Sequence, residues 1–321
     1  MMLERRCLGT TGIDVTRLGF GTLTMSPMQR GLSVEAGGDL LLAALEAGVR
    51  FIDTAQMYGS YPQVASALCR WKGDHVTVAT KSAAKTEEAM RQALDEAHAT
   101  LGLPVIDVFL LHAVRDAADF AAREGAIGAL LAAKAAGRVR AIGASSHFVG
   151  TMRLLAEDPR LDVLHPMLNR DGFGIIDEPL DAMLGVLAGA KRCGKGIYAM
   201  KPLGGGHLRN EARQALEWVL GRDEVDAIAV GMTSADELRM NLSIASHAPV
   251  DPEIEKRARG QKRRLFINEA LCRHCGHCIQ TCQQQALAYV EGRNAPAVDA
   301  GKCVVCGYCA PGCPAFAIRI I

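Results

Sequence analysis

Aromatic side chains are scarce in this sequence, with two Trp, five Tyr and eight Phe among 321 residues. A core must therefore be assembled from Ala, Leu, Val and Ile. A surplus of either charge is also missing: 36 Lys and Arg stand against 35 Asp and Glu. No global field draws the chain to nucleic acid or to an anionic membrane. No apolar run approaches the roughly 20 residues needed to cross a bilayer. The opening Met1-Met2-Leu3-Glu4-Arg5-Arg6 lacks the apolar stretch of a secretory signal. A soluble, cytoplasmic chain is expected, and at 49% hydrophobic it has ample material for a globular core.

Cysteine is the exception to this plainness. Eight of the eleven cysteines lie between Cys272 and Cys313. A disulfide scaffold is disfavoured, because a reducing cytosol would not maintain it and the spacing is regular; crowded thiols in such a setting point to metal. The isolated Cys7, Cys69 and Cys193 read as ordinary small apolar residues.

From residue 18 to about 245 short β-branched runs alternate with Ala/Leu-rich amphipathic segments. The strands are expected at 18–20, 50–53, 76–81, 106–112, 139–145, 163–169, 196–201 and 227–231. The helices are expected at 33–47, 62–71, 86–100, 125–136, 149–157, 179–193, 211–220 and 234–245. Gly48, Gly102, Gly137 and Gly194 follow helical runs, where a left-handed terminal residue belongs. Eight β/α pairs predict an α/β fold, a (β/α)8 TIM barrel, with a doubly wound open sheet as the structural alternative. Residues 3–8 and 13–17 read as a hairpin around Gly9-Thr10-Thr11-Gly12, placed to plug the barrel bottom. After residue 246 the pattern breaks. A linker is expected over 247–265, carrying Lys256, Arg257, Arg259, Lys262, Arg263 and Arg264. That basic stretch is either a solvated helix face or a docking patch for an acidic electron carrier. Residues 266–321 form a second, cysteine-rich unit.

Reactive groups of a barrel of this kind belong at the C-terminal ends of its strands. Four polar residues fall there: Asp53 at the end of strand two, Tyr58 on the loop beyond it, Lys81 closing strand three and His112 closing strand four. Asp53-Thr54-Ala55-Gln56-Met57-Tyr58-Gly59, with Thr80-Lys81, Leu110-Leu111-His112 and the opening Leu18-Gly19-Phe20-Gly21-Thr22, resembles the aldo-keto reductase family over about residues 3 to 245. The resemblance implies NAD(P)-dependent hydride transfer between nicotinamide and a small-molecule carbonyl or alcohol. It makes Tyr58 the general acid, tuned by Lys81 and Asp53, with His112 orienting the carbonyl. A free phenol has a pKa of about 10, and a neighbouring ammonium is expected to lower it.

The same resemblance implies the cofactor contacts. Gly21 and Thr22 lie at the end of strand one. Ser145, Ser146 and Asn169 hold the carboxamide, and Lys201-Pro202-Leu203-Gly204 opens the pyrophosphate loop, whose glycines let N–H groups approach phosphate. Gly231, Met232, Thr233, Glu237 and Asn241 grip the adenosine end. The family's stacking aromatic is replaced by Met200, its frequent His-Trp by His112-Ala113, and an Arg four residues before the Asn by Glu237. A carboxylate there repels a 2′-phosphate, which tilts the expectation toward NADH. Leu23, Met25 and Met57 are candidates for a soft apolar pocket.

Cys272-x2-Cys275-x2-Cys278-x3-Cys282 and Cys303-x2-Cys306-x2-Cys309-x3-Cys313-Pro314 share one rhythm. This doubled spacing resembles the bacterial ferredoxin module with two [4Fe–4S] clusters, a small ferredoxin-like α+β unit in which the fourth ligand of each cluster comes from the other run. One cluster then takes Cys272, Cys275, Cys278 and Cys313, and the other takes Cys303, Cys306, Cys309 and Cys282. Structural zinc is the alternative, and Gln283 stands where the family's first run has Pro. His274 and His277 are expected to be exposed. Few large apolar residues lie in this unit, so its clusters should supply folding free energy. The whole reads as a carbonyl reductase or alcohol dehydrogenase carrying clusters. An electron-transfer protein coupling NAD(P)H to a one-electron carrier, or a nucleotide-binding redox sensor, are the alternatives. The tail is placed to close over the barrel mouth and shape substrate access.

Overall fold

A computed structural model describes residues 3–282, 284–303, 305, 309–310 and 312–321. Eight parallel strands close into a barrel: Leu18–Gly21, Phe51–Asp53, Thr77–Ser82, Ile106–Leu111, Val139–Ser146, Val163–Pro166, Gly196–Met200 and Ala227–Gly231, the last pairing back to the first. The eight expected helices are all present, within a residue or two of their expected ends. Gly48, Gly102, Gly137 and Gly194 each adopt positive φ. A short helix, Ala117–Ala121, follows strand four and was not expected from the sequence.

Alternation along each strand sorts the core into two layers, as the two-residue period of a strand requires. Val108 and Leu110 point into the barrel with Phe51, Ala79 and Tyr198, whereas Phe109 and Leu111 join the layer beneath the helices. The N-terminal hairpin, Arg5–Cys7 paired with Asp14–Thr16, delivers Leu8, Ile13 and Val15 into the barrel interior, each fully buried. Burial of that kind stabilises by roughly 1.5–3 kcal/mol per side chain. Gly9 seats the hairpin at φ +53, where a Cβ would collide with the backbone of Gly194–Gly196.

The expected linker contains a helix. Pro252–Arg259 forms a helix capped by Asp251 and tied to the last barrel helix, Ala235–Ala245, by Arg257 on Asp236 at 3.0 Å. Beyond it, Leu265–Ile267 pairs antiparallel with Ile318–Ile320, and Leu287–Ala288 with Ala297–Val298. The small core of this unit is made of Leu265, Ile267, Leu287, Ile318 and Ile320, with Cys278 and Cys309 among them. Cys69 and Cys193 are exposed. Among the described residues no helix is long and apolar enough to cross a membrane.

The loop after strand four is pinned by a buried carboxylate. Asp119 accepts from Arg123 Nη2 at 2.8 Å and pairs with Lys85 Nζ at 2.8 Å, and Arg123 also donates to the carbonyl of His112 at 3.0 Å. Burial alone would raise the Asp119 pKa, but the two cations outweigh it and hold the carboxyl down at about 2. A depressed carboxyl contributes stability that is complete above its unfolded pKa and lost as pH falls through the folded one. We therefore expect about 2 kcal/mol of stability to disappear between pH 4 and pH 2. Asp119→Asn should lower the melting temperature at pH 7 and flatten that acid limb, measured by thermal melts across pH.

Candidate active site

The C-terminal ends of the strands open into one cavity of ≈ 190 Å³. Asp53 ends strand two, and the following 3-10 turn Gln56–Tyr58, closed by Gly59 at φ +65, swings Tyr58 back over the mouth. Lys81 lies one residue before the end of strand three, and His112 one residue past strand four. Asp53, Tyr58 and His112 line the cavity, and Lys81 supports them from beneath. The four residues singled out in the sequence thus come together at one rim.

Lys81 Nζ donates to Asp53 Oδ1 at 2.6 Å and to the carbonyl of Thr54 at 2.8 Å, with both charged side chains almost wholly buried. Burial pushes the Lys81 pKa down and the Asp53 carboxyl up, each opposed by the charge of the other. Two further partners were not anticipated. Tyr198 of strand seven donates to Asp53 Oδ1 at 2.9 Å, and His165 of strand six stacks on the Tyr198 ring with centroids 3.9 Å apart. Their signal in the sequence was only inward alternation on an apolar strand.

Tyr58 departs from expectation. Burial pushes its phenol well above 10, the charge of Asp53 adds to that, and Arg319 opposes it. Lys81 Nζ lies 5.1 Å from the centre of the Tyr58 ring, with its hydrogen bonds given to Asp53 and Thr54. His112 meets the Tyr58 ring edge-on at 5.6 Å. Burial, then the Lys81 charge, hold His112 well below 6.5, so the imidazole is neutral at pH 7. Its buried Nδ1 has no hydrogen-bond partner among the described residues.

Of the residues tied to the cofactor by resemblance, Gly21, Ser145, Lys201, Pro202, Leu203 and Gly231 line the cavity, as do Glu237 and Asn241. Thr22, Ser146, Asn169, Gly204, Met232 and Thr233 do not. Several are already engaged. Thr22 meets Ser60 at 2.8 Å, and Ser145 accepts from the Ala113 amide at 2.8 Å. Ser146 bonds Val114 and Phe148, and Asn169 closes its own loop through both backbone polar groups of Phe173. Lys201 sits at φ +56, a strained conformation for a side-chain-bearing residue, and its Nζ lies 3.0 Å from His147 Nε2. Gly204, Gly205 and Gly206 all adopt positive φ, which gives the loop a backbone that only glycine takes without strain. The buried Asn241 Oδ1 is unpartnered among the described residues. The cavity wall at Lys201, Pro202 and Leu203 and the two orphaned polar atoms, His112 Nδ1 and Asn241 Oδ1, fit a dinucleotide lying across the mouth.

Glu237 is not the free carboxylate that the sequence suggested. It accepts from Thr233 N at 2.7 Å and Thr233 Oγ1 at 2.9 Å, and it is ion-paired with Arg263. The basic stretch therefore spends much of its charge within the chain: Arg263 on Glu237, Arg257 on Asp236 and Arg259 on Glu255.

In the second unit Cys272, Cys275, Cys278 and Cys313 line one small cavity, the grouping of three thiols from the first run with one from the second. Among the described residues no three His, Cys, Asp or Glu side chains form a site for a single ion; the four thiols stand around a space instead, which suits a multi-atom cluster. Backbone amides of Ala317 and Ala286 donate to Cys313 Sγ at 3.3 Å and Cys282 Sγ at 3.4 Å, the amide–sulfur bonds that tune such clusters. Cys303 is half-buried and Cys309 is buried, whereas Cys306 lies outside the described residues. His274 and His277 are exposed, as expected, and His274 stacks on Tyr289.

Comparison with known proteins points to the same two units. The model of the aldo/keto reductase family matches residues 17–214, and that of a 4Fe-4S dicluster domain matches residues 255–317. An aldo-keto reductase of Mycobacterium sp. (strain MCS) is 30% identical over 187 residues, covering 52% of this chain and 61% of the relative. L-galactose dehydrogenase of Arabidopsis thaliana is 24% identical over 286 residues, covering 75% of this chain and 88% of the relative. A Pseudomonas aeruginosa structure assigned to the aldo-keto reductases superposes with a TM-score of 0.65 at 25% identity, over 76% of this chain and 95% of that one.

Proposed function

The chain belongs to the aldo/keto reductase family, and from that premise we propose that it catalyses NAD(P)H-dependent reduction of small carbonyl compounds. The observation that carries this reading is the convergence of Asp53, Tyr58, Lys81 and His112 on one cavity at the barrel mouth. When bound, the nicotinamide supplies the hydride at its C4 position.

The chain's own residues then handle the proton and the developing charge. Tyr58 is the general acid, its Oη hydroxyl donating to the carbonyl oxygen as charge builds there. Burial keeps that phenol protonated at neutral pH. A phenol so held carries its proton for reduction but is a weak acid, so the transfer is driven by the negative charge that builds on the carbonyl oxygen. His112, neutral and close to Tyr58, offers a second hydrogen bond to the same oxygen. Asp53 compensates Lys81, whose ammonium beside the ring stabilises the negative charge that gathers on the phenol oxygen as the tyrosine proton leaves. The turn closed by Gly59 keeps Tyr58 over the mouth, so little reorganisation is needed at the moment of reaction.

At the far end of the cavity Arg209, Arg259 and Arg263 face the place assigned to the adenosine phosphates. Arg263 neutralises Glu237, so the repulsion of a 2′-phosphate that Glu237 alone would exert is cancelled, and NADPH is accepted. In the second unit the eight cysteines, paired across the two runs, hold two [4Fe–4S] clusters. Their first service is to fold the tail against the barrel, since its apolar core is small.

Tyr58→Phe should lower the single-turnover rate of carbonyl reduction by roughly 10² to 10⁴, the share expected of a general acid. An unchanged rate removes Tyr58 from the mechanism. Arg263→Ala should unmask Glu237 and shift the kcat/KM ratio from NADPH toward NADH by roughly tenfold, as like charges brought together would; an unchanged ratio places Arg263 away from the coenzyme. Cys272→Ser should cost one cluster's iron and visible absorption, and render the tail sensitive to protease while the circular dichroism of the barrel is retained. A tail equally resistant after that change would mean that the clusters do not support its fold.

A further inference from the structure

The C-terminal strand Ile318–Ile320 does more than close a small sheet. It lies against the strand-seven loop, and a Cβ on Gly206 would collide with the carbonyl of Ile320. This placement carries Phe316 and Arg319 from the iron–sulfur unit onto the barrel mouth. The Phe316 ring is flanked by two cations: Arg319 Cζ stands 4.0 Å and Lys201 Nζ 5.1 Å from its centre. His147 meets the same ring edge-on at 5.9 Å.

Arg319 lines the same cavity as Tyr58 and His112 and is only 7% exposed. Its guanidinium donates to the carbonyls of Phe316 and Ile318 and forms no ion pair among the described residues. Lys201 likewise has no carboxylate partner there, only His147. The carboxylates lining the cavity are already spent, Asp53 on Lys81 and Glu237 on Arg263. Burial depresses the arginine to about 10 and the lysine well below its ordinary range, and the charge of Arg319 pushes the lysine further down. Leaving two buried cations unmatched is costly. An oxyanion entering the cavity would remove that cost. The phosphates of a dinucleotide have their own cation in Arg209, whose guanidinium donates only to the Gly206 carbonyl among the described residues, whereas Arg319 lies near enough to Tyr58 for its charge to act on the phenol.

We propose that Arg319, supported by Lys201, binds a carboxylate of the substrate, so that the enzyme prefers carbonyl compounds bearing a carboxylate and draws this specificity from its iron–sulfur unit. The inference rests on the carbonyl-reductase reading and deepens it. The planar fork of a guanidinium matches a carboxylate in two parallel hydrogen bonds, which an ammonium cannot reproduce. One end of the substrate is then fixed at Arg319 while its carbonyl oxygen is offered to Tyr58 and His112.

The test uses the full holo-protein with 4-carboxybenzaldehyde and its neutral partner, methyl 4-formylbenzoate, as paired substrates, and calorimetric binding of benzoate against benzamide. The acid should be favoured in kcat/KM. Arg319→Gln should lose roughly tenfold or more on the acid relative to the ester, mostly in KM, and should weaken benzoate binding by a similar factor. Arg319→Lys should recover only part of the loss, and added guanidinium should rescue Arg319→Ala on the acid. Equal losses on acid and ester overturn the proposal, and weakened NADPH binding in the same variant would then assign Arg319 to the coenzyme phosphates. Benzoate bound no better than benzamide by the unaltered protein also overturns it. Benzoate bound through Arg319 without turnover of either aldehyde supports the anion site and defeats the carbonyl-reductase reading instead.

Discussion

The buried contact between Lys81 and Asp53 is the constraint on which the rest of the barrel mouth depends. Two opposite charges at 2.6 Å in a nearly dry interior are tolerated only because further hydrogen bonds support each of them. The Thr54 carbonyl accepts a hydrogen bond from the ammonium, and the Tyr198 hydroxyl donates one to the carboxylate. Removing either charged partner would strand the other, at a cost of about 3–5 kcal/mol. The pair therefore fixes where strands two and three end relative to one another, and with them the turn that carries Tyr58. In the proposed mechanism it also sets the field in which the tyrosine proton moves. The same pair explains why the ammonium does not simply acidify the phenol: its hydrogen bonds are directed to Asp53 and Thr54.

The iron–sulfur unit is joined to that constraint through a short run of chain. Cys313 belongs to the four thiols around one cavity, Phe316 stands between Lys201 and Arg319, and Arg319 lines the barrel mouth. Its charge acts on Cys313 on one side and on Tyr58 on the other. A strand of three residues, held by pairing to Leu265–Ile267, fixes this geometry. If the cluster is what orders that unit, then cluster assembly and completion of the barrel cavity are one event. Such an arrangement does not require electrons to flow between the two centres, and it avoids the mismatch between a two-electron hydride and one-electron clusters.

Much of this was legible from residue patterns. Period-two and period-3.6 alternation located all eight strands and all eight of their helices, because each element buries one face against a layer whose position the barrel dictates. The Asp53, Tyr58, Lys81 and His112 constellation was legible because the chemistry sits at strand ends, and strand ends are set by local pattern. Tyr198 and His165 were not. An inward polar group on an apolar strand looks the same whether it meets a partner or a neighbouring side chain of the core, and only barrel closure brings strands six and seven to Asp53. The Glu237–Arg263 pair escaped for a related reason: the sign of the first residue was readable, but its neutralisation came from a segment 26 positions away.

Arg319 shows where pattern reading stops. In sequence it is one charged residue in a short alternating strand, and such a position normally faces water on an edge. Here the strand is not an exposed edge, because one side pairs with Leu265–Ile267 and the other lies on the glycine loop. The absence of side chains at Gly205 and Gly206 is what admits the strand so closely, and close approach is what buries the guanidinium. A loop whose glycines resemble a phosphate cradle thus has a second physical use, as the seat for another unit's backbone. The two uses are compatible only if the bound dinucleotide and the strand share the loop, the strand lying along Gly206 and the cavity remaining open at Lys201, Pro202 and Leu203. That sharing places the anion-seeking arginine beside the reacting centre instead of at the protein surface.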